Sequence, residues 1–251
     1  MFTDSHCHLD FREFDDIRDD LMFQCQQLGI KRFIVPGITR KRWSRVLGLA
    51  QRYQGITPCL GLHPWWIEKA TEQDLWLLQE LAVEHNIAAI GEIGIDGAVE
   101  HLEKQQEYFA AQLAIAKQLN LPVIVHHRKS HHLIIPHLQS TGLEKAGIVH
   151  AFSGNYQQAK AYIDLGFKLG IGGTITYDRA AKTRDAVSKI PLQHIVLETD
   201  APAMPLQGFQ GLDNSPKYLP KVFDQLLSLR SESAEVIAEQ IEANVNQFLG
   251  D

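Results

Sequence analysis

Short apolar runs alternate with longer amphipathic segments along the whole chain, and this alternation restricts the fold more than any other feature of the sequence. Eight runs, mostly rich in Val and Ile, begin about 21 to 34 residues apart, which is the length of one strand–helix unit. Between them, apolar residues recur at helical spacing, as at Leu75, Leu78 and Leu81. Two more helices are predicted at about Pro216–Leu229 and Ser233–Leu249. The predicted strands are Phe2–His8, Lys31–Ile38, Ile56–His63, Ile87–Ile95, Leu121–His127, Ala146–Phe152, Phe167–Gly173 and His194–Asp200.

Eight repeats of a strand and a crossover helix predict an α/β fold in which a parallel sheet closes into a TIM-type (β/α)8 barrel. The length of 251 residues is usual for one such barrel, and no linker or low-complexity run divides the chain, so we expect a single domain over residues 1–251. The alternative is a doubly wound open sheet, which needs fewer strands and usually a glycine-rich first turn. The first run here ends in His-Cys-His instead.

Composition restricts the cellular setting and the partners. The net charge of −6 gives no global positive field for non-specific DNA binding, although local groups could still hold a nucleic acid. The three cysteines, Cys7, Cys25 and Cys59, are widely spaced, which argues against a disulfide framework and a thiolate zinc site and indicates a reducing compartment. The first residues do not resemble a signal peptide, and no apolar stretch approaches 18 residues. We expect a cytoplasmic protein without a membrane segment.

Histidines and carboxylates concentrate at the ends of the predicted strands. In a TIM-type barrel the reacting groups lie at the carboxyl ends of the strands. Acidic residues, among them Glu92 and Asp200, stand at or near the ends of the fourth and eighth runs. Six of the twelve histidines also fall at strand ends, namely His6, His8, His63, His126, His127 and His150.

For each of these residues there is a structural explanation as well as a functional one. His6 and His8 have the spacing that puts two side chains on one face of a strand, with Cys7 on the other, but two histidines near a terminus can also be incidental. Glu92 follows an apolar run, where a buried carboxylate needs a metal ion or an arginine partner. Asp200 could ligate a metal, act as a general base or cap a turn.

Taken together, the candidates indicate a metal centre. His126 and His150 each end an apolar run, and either one alone could be a hydrogen-bonded core histidine. The combined set exceeds the four ligands of a closed zinc site and fits two divalent ions that share a carboxylate. Nitrogen and oxygen donors suit zinc, manganese or magnesium, and hydrolysis is the expected reaction class. The candidate ligands are His6, His8, Glu92, His126, His150 and Asp200.

The motifs around these residues resemble, in order, those of the TatD family of metal-dependent deoxyribonucleases, which belong to the amidohydrolase-like barrels. The loops Gly172–Tyr177 and Pro205–Gly211 resemble the YjjV-like branch of that family. The matching motifs are Asp4-Ser5-His6-Cys7-His8, Gly61-Leu62-His63-Pro64, Gly91-Glu92-Ile93-Gly94-Ile95-Asp96, Pro122-Val123-Ile124-Val125-His126, His150-Ala151-Phe152-Ser153-Gly154 and Glu198-Thr199-Asp200-Ala201-Pro202.

The resemblance implies a role for each matched residue. His6, His8 and Asp200 would hold one ion and His126 and His150 the other, with Glu92 as the bridge. Asp200 would accept the proton of the attacking water, and His63 would face the substrate phosphate. The implied reaction is metal-dependent phosphodiester cleavage, including 3′ to 5′ exonuclease action on DNA.

Loops at the same end of the barrel suggest an anionic substrate. The basic residues after the fifth and seventh strands are Arg128, Lys129, Arg179, Lys182 and Arg184. The last three flank a common phosphate site of such barrels, although all five can also be ordinary surface charge.

Aromatic residues in or beside these loops could stack unpaired bases or pack within the loops. They are Trp65, Trp66, Phe152, Tyr177 and Phe209. The loop Ala201–Ser215 is long enough to contact substrate. We expect His63, Arg128, Arg179 and Tyr177 to bind it.

Three functions remain open at this stage. The first is a phosphodiesterase acting on DNA ends, oligonucleotides or small phosphodiesters. The second is a barrel that hydrolyses a small ester, lactone or amide, where a carboxylated lysine often bridges the metals; the fourth run offers a glutamate instead. The third is a metal-binding interaction protein without catalysis. No obligate protein partner is evident, and we expect a monomer.

Overall fold

Eight strands lie side by side in sequence order, each parallel to its neighbours, and this confirms the TIM-type barrel. The computed structural model describes residues 1–250. Hydrogen bonds join the loops after the first and last strands: Ser5 N donates to Leu197 O, and Asp200 N donates to His6 O, each at 2.9 Å. The barrel is therefore nearly closed. The strands are β1 (Phe2–Asp4), β2 (Ile30–Gly37), β3 (Ile56–Leu60), β4 (Ile90–Asp96), β5 (Val123–Arg128), β6 (Gly147–Val149), β7 (Lys168–Ile171) and β8 (Ile195–Leu197).

Helices connect the strands and cover the outside of the sheet. The two closing helices confirm the sequence prediction, and the Ser233 side chain caps the last one by accepting from Val236 N. Within residues 1–250 no helix combines the length and the apolar character needed to cross a membrane. The helices are α1 (Arg18–Gln27), α2 (Arg40–Arg52), α3 (Glu72–Glu84), α4 (Leu102–Leu119), α5 (His131–Thr141), α6 (Tyr156–Ile163), α7 (Ala181–Lys189), α8 (Leu219–Leu227) and α9 (Ala234–Leu249).

The core has two parts. The larger cluster fills the space between sheet and helices, and the smaller one joins alternate strand residues such as Ile124, Ile148 and Val196 to Val245 and Phe248 of α9. Because strand side chains alternate between faces, the residues two positions after these three strand residues face the same way. Those residues are His126, His150 and Glu198.

Most of the predicted strands are longer than the observed ones. His6, His8, His63, His150 and Asp200 lie in loops just past the strand ends, rather than on the strands. Hydrogen bonds between these loops replace the regular ladder, as where His8 N donates to Ala201 O at 2.8 Å. Loop geometry, not strand alternation, therefore sets the direction of the His6 and His8 side chains.

The three thiols are expected to be unreactive in the folded protein. Cys7, Cys25 and Cys59 are free and fully buried. Burial raises the pKa of Cys25 and Cys59 to about 12 and that of Cys7 well above its ordinary value, so all three remain protonated at pH 8. We expect a chromogenic disulfide reagent to detect no thiol at pH 8 and three thiols in guanidinium chloride. Reaction in the native protein at the rate of free cysteine would contradict this burial.

Candidate metal centre

Two strands, β4 and β5, and the loops that follow β1, β6 and β8 bring the predicted ligands together around the side chain of Glu92. Its carboxylate is buried at the centre of the group. One oxygen, Oε2, lies 3.3 Å from His6 Nε2 and 3.5 Å from His8 Nε2. Asp200 joins this group of side chains, because its Oδ1 lies 3.5 Å from both imidazole nitrogens.

The other oxygen of Glu92 faces a second group of histidines. Oε1 lies 2.8 Å from His150 Nε2, 3.1 Å from His126 Nδ1 and 3.2 Å from His63 Nε2. The two oxygens of one carboxylate thus divide the surrounding donors into two sets.

A bulge in β4 directs Glu92 into the barrel. Ile90 pairs with Val123 and Ile93 with Val125, so β4 holds one residue more than β5 over this stretch. Strict alternation would place Glu92 on the same face as Ile90, which packs in the outer cluster. Bulges of this kind redirect side chains next to active sites.

The glycines of the Gly91–Asp96 motif allow β4 to approach β5 closely. Gly94 has a φ of +147°, and a Cβ there would lie 2.1 Å from His126 O. A side chain at this position would push apart the two strands that carry Glu92 and His126.

Hydrogen bonds fix the loop that carries Asp200 to the loop that carries His6. The Asp4 carboxylate accepts from Thr199 Oγ1 at 2.6 Å, from Thr199 N at 3.0 Å and from His6 N at 3.3 Å. Asp200 itself has a φ of 57°, a left-handed conformation that aspartate tolerates better than most residues.

The electrostatics of the site keep its carboxylates ionised. Burial alone would raise the pKa of Glu92, but His150, His63 and other neighbouring histidines lower it well below its ordinary value. Burial opposes ionisation of Asp200 too, and its hydrogen bond with His8 helps to lower the pKa. Both side chains are therefore anionic at neutral pH.

The donors fit divalent metal ions. Ligands about 2.1 Å from an ion in a tetrahedral arrangement lie about 3.4 Å apart, and His6 Nε2, His8 Nε2 and Glu92 Oε2 are separated by 3.3 to 3.5 Å. Three groups of side chains within the described residues have ligand atoms within 4.8 Å of one another. They are His6, His8 and Glu92; His6, His150 and Asp200; and His63, Glu92 and His126.

Comparison with known proteins places this site in a family. A family model described as TatD related DNase matches residues 3–250. The chain belongs to the TatD family. The resemblance seen in the sequence motifs is confirmed.

The TatD-family relatives match nearly the full chain. A metal-dependent hydrolase of Escherichia coli (strain K12) named YjjV is 44% identical over 245 residues, which cover 96% of this chain and 94% of that protein. A metal-dependent hydrolase of Haemophilus influenzae is 39% identical over 258 residues, which cover 98% of each. The crystal structure of YjjV matches this fold with a TM-score of 0.97 at 42% identity, over 100% of this chain and 98% of that one.

In this TatD-family barrel, two further carboxylates contact the histidines from outside the donor group. Asp96 Oδ2 lies 3.3 Å from His126 Nε2, and Glu198 Oε1 lies 3.5 Å from His150 Nδ1. A carboxylate at one ring nitrogen orients the imidazole and leaves the other nitrogen free to ligate a metal. Both acids lie in the sequence motifs, but nothing in the motifs indicates this role.

Trp65 also has a role that the sequence did not indicate. Its indole Nε1 donates to Asp96 Oδ2 at 2.6 Å, so the carboxylate that faces His126 is itself held in place. The position of Trp65 directly after His63-Pro64 is the only sequence signal for this contact.

His63 differs from the other histidines of the TatD-family site. Its Nδ1 accepts from Trp65 N at 3.1 Å, which assigns the proton of the neutral ring to Nε2. Burial lowers the pKa of His63 to about 4, so the ring is neutral at pH 7. His63 therefore presents an N–H donor toward Glu92 Oε1.

The residues predicted to contact substrate lie in different environments. Trp65 and Trp66 are exposed, whereas Phe152 is buried, so the packing alternative holds for Phe152. Phe209 packs on Tyr218 with ring centroids 4.8 Å apart. The Arg184 guanidinium donates to Ile175 O and thus supports the loop after β7.

Two of the predicted substrate residues lie close together beside the site. The Arg179 guanidinium lies 4.7 Å from the centre of the Tyr177 ring, and Tyr177 Oη donates to Pro205 O at 2.7 Å. Arg128 extends toward Asp96, with 3.8 Å between Nη1 and Oδ2.

Proposed function

We propose that this TatD-family protein is a divalent-metal-dependent phosphodiesterase that removes nucleotides from DNA ends. The division of donors between the two oxygens of Glu92 carries the proposal, because a two-metal hydrolase needs a bridging ligand of this kind. Nitrogen and oxygen donors favour zinc or manganese, with magnesium as the alternative. His6, His8 and Asp200 would hold one ion, His126 and His150 the other, and Glu92 both.

Asp200 is the proposed general base. Ions held by this group would supply a water molecule of lowered pKa and offset negative charge on a phosphoryl group. The lowered pKa of Asp200 keeps its carboxylate able to accept a proton from the attacking water at neutral pH. Its hydrogen bond with His8 and the anchoring of Thr199 by Asp4 hold the carboxylate in position.

His63 is the proposed contact to the substrate phosphate. The neutral ring has one N–H, on Nε2, which faces Glu92 Oε1 at 3.2 Å. It could donate to a phosphoryl oxygen when the Glu92 carboxylate is engaged by metal ions. Arg128, which is exposed beside Asp96, would add positive charge at the edge of the same site.

A cavity of about 290 Å³ between the loops after β7 and β8 suits the terminal nucleotide. Small-ligand pockets begin at about 300 Å³, so this cavity holds little more than one nucleotide. The Tyr177 ring can stack a base, and Arg179 can pair with a phosphate. We call it the Tyr177 pocket; it is lined by Thr174, Tyr177, Arg179, Ala180, Met204 and Pro205.

Digestion of a labelled oligonucleotide tests the proposal. Manganese-loaded protein is incubated with single-stranded DNA that carries the label at the 5′ end or, in a parallel sample, at the 3′ end, with and without a chelator. A ladder that shortens stepwise from the 3′ end and disappears with the chelator is expected. Absence of cleavage by protein shown to contain metal would refute DNA as the substrate and direct the search to small esters and lactones.

Replacement of Arg179 by alanine is expected to raise KM for the oligonucleotide by about tenfold with a smaller change in kcat, because a charge-assisted hydrogen bond to phosphate is lost. The side chain is exposed, so the fold is not at risk. Steady-state kinetics on the labelled oligonucleotide measure the effect. Arg52→Ala, at the far end of α2, is the matched control. Equal KM values for the two variants would remove Arg179 from the substrate site.

A further inference from the structure

A larger cavity of about 560 Å³ opens on the same end of the barrel, between the loops that follow β2 and β3. Its lining is basic, although the protein as a whole carries a net charge of −6. We call it the basic groove and define its charged and aromatic lining as Arg40, Lys41, Arg42, Trp66, Lys69 and Asp74.

Two of the four cations in the basic groove are paired, and two are available. Arg40 Nη1 lies 3.0 Å from Asp74 Oδ1, and Arg42 Nη1 lies 3.1 Å from Asp10 Oδ2. Lys41 and Lys69 are exposed and form no ion pair with the residues that the structure describes. The groove therefore offers free positive charge to an anionic ligand.

Helix stability does not explain this charge. Arg40, Lys41 and Arg42 occupy the first turn of α2, which contains no acidic residue. Cations at a helix N-terminus oppose the helix dipole and destabilise the helix. Local rules of this kind are broken mainly where a residue serves a ligand.

Trp66 adds an aromatic surface to the same groove. Its side chain is 52% exposed, on the short 3₁₀ turn Pro64–Lys69. An exposed indole beside lysines is the combination that single-strand binding proteins use, in which the ring stacks a base and the cations contact the backbone.

Side-chain contacts and sequence adjacency link the basic groove to the metal centre on two sides. The Phe11 ring stacks on His8 with centroids 4.7 Å apart, and the Arg42 guanidinium lies 4.1 Å from the centre of Phe11. On the other side, Leu62 lines the groove and is followed directly by His63. The groove therefore lies next to the loops that carry His8 and His63.

We propose that the basic groove binds the part of a single-stranded DNA substrate that extends away from the scissile phosphodiester, with Lys41 and Lys69 on the phosphates and Trp66 on a base. The inference rests on the proposed function, since it takes the substrate to be nucleic acid. It assigns the terminal nucleotide to the Tyr177 pocket and the rest of the strand to the groove.

Binding measurements on metal-loaded protein test the groove separately from catalysis. The probe is a fluorescent, single-stranded 12-mer with phosphorothioate linkages, which keep the backbone charge and slow cleavage. Fluorescence anisotropy gives Kd at several salt concentrations for wild type, for the double variant Lys41→Gln/Lys69→Gln and for Trp66→Ala. The control, Lys31→Gln/Lys145→Gln, removes the same charge from exposed lysines at the amino ends of β2 and β6.

The double variant is expected to bind at least about fivefold more weakly than the control. Its plot of log K against log salt should be shallower by about 1.4, since each contact to a single-stranded phosphate contributes about 0.7. Trp66→Ala should bind about tenfold more weakly with an unchanged slope.

Two results would overturn the proposal that the groove binds DNA. One is no binding of the 12-mer by wild type. The other is equal affinity and an equal slope of log K against log salt in the double variant and its control. Groove-dependent binding without cleavage of an unmodified 12-mer would support the groove and refute the proposed function. Cleavage of the unmodified 12-mer, together with binding that does not depend on the groove residues, would support the proposed function and refute the groove.

Discussion

Replacement of Glu92 by glutamine is expected to lower kcat/KM for phosphodiester cleavage by at least about a thousandfold. Glutamine keeps the volume of the side chain but has no charge and only one acceptor oxygen, so it cannot serve both halves of the donor group. Loss of bound metal should accompany the loss of activity. Kinetics on the labelled oligonucleotide and elemental analysis of the same samples provide the two readouts.

The control for this variant is Glu80→Gln, an exposed position on α3. It makes the same chemical change and should leave rate, metal content and thermal stability as in wild type. Retention of more than about a tenth of the activity by Glu92→Gln, with normal metal content, would show that Glu92 is not the bridge.

Replacement of Asp200 by asparagine is expected to lower kcat by about a hundred to ten thousandfold, the range for loss of a general base. Asparagine fits the same space and also tolerates the positive φ of 57°. The amide cannot accept the proton, and as a neutral ligand it would weaken the binding of the ion proposed at His6 and His8. Rates are compared at saturating metal, so that the weaker ligand does not account for the loss.

Asp224→Asn is the matched control, because Asp224 is an exposed residue of α8, outside the loop that follows Asp200. It should retain wild-type kcat. If Asp200→Asn at saturating metal also retains it, the proton is accepted by another group and the proposed role of Asp200 is wrong.

Much of the fold could be predicted from the sequence because its signal is repeated. Eight apolar runs, each followed by a helical pattern, specify eight parallel strands even where single boundaries are in error. The predicted strand boundaries were in error at the site itself. There the loops that carry His8 and Asp200 form hydrogen bonds with each other instead of extending the strands. Periodicity in sequence does not report such bonds.

The members of the donor group could be predicted, but the arrangement of its centre could not. The direction of the His126 side chain follows from alternation along β5, and that of His150 continues the alternation of β6 one residue past its end. Glu92 faces inward only because of the bulge in β4, which depends on the pairing with β5 and has no signature beyond the glycines at 91 and 94. Alternation alone would have directed this carboxylate to the outer layer.

Contacts between residues distant in sequence were the other part of the site that the sequence could not predict. The contacts of Asp96 with Trp65 and of Glu198 with His150 join residues that are distant in sequence, so spacing could not indicate them. Phe152 adjoins Ala151 and His150 in the sequence, yet it turns into the core and away from the substrate. The cations at 40–42 form a groove only when the loop after β3 brings Trp66 and Lys69 to them.

A manganese titration of metal-free protein, with bound metal and phosphodiesterase rate measured on the same samples, tests the two-ion centre most directly. The two sets of donors around Glu92 predict that two equivalents bind per chain and that the full rate is reached only with the second. Full activity at one equivalent, with no second ion bound, would contradict the two-ion centre.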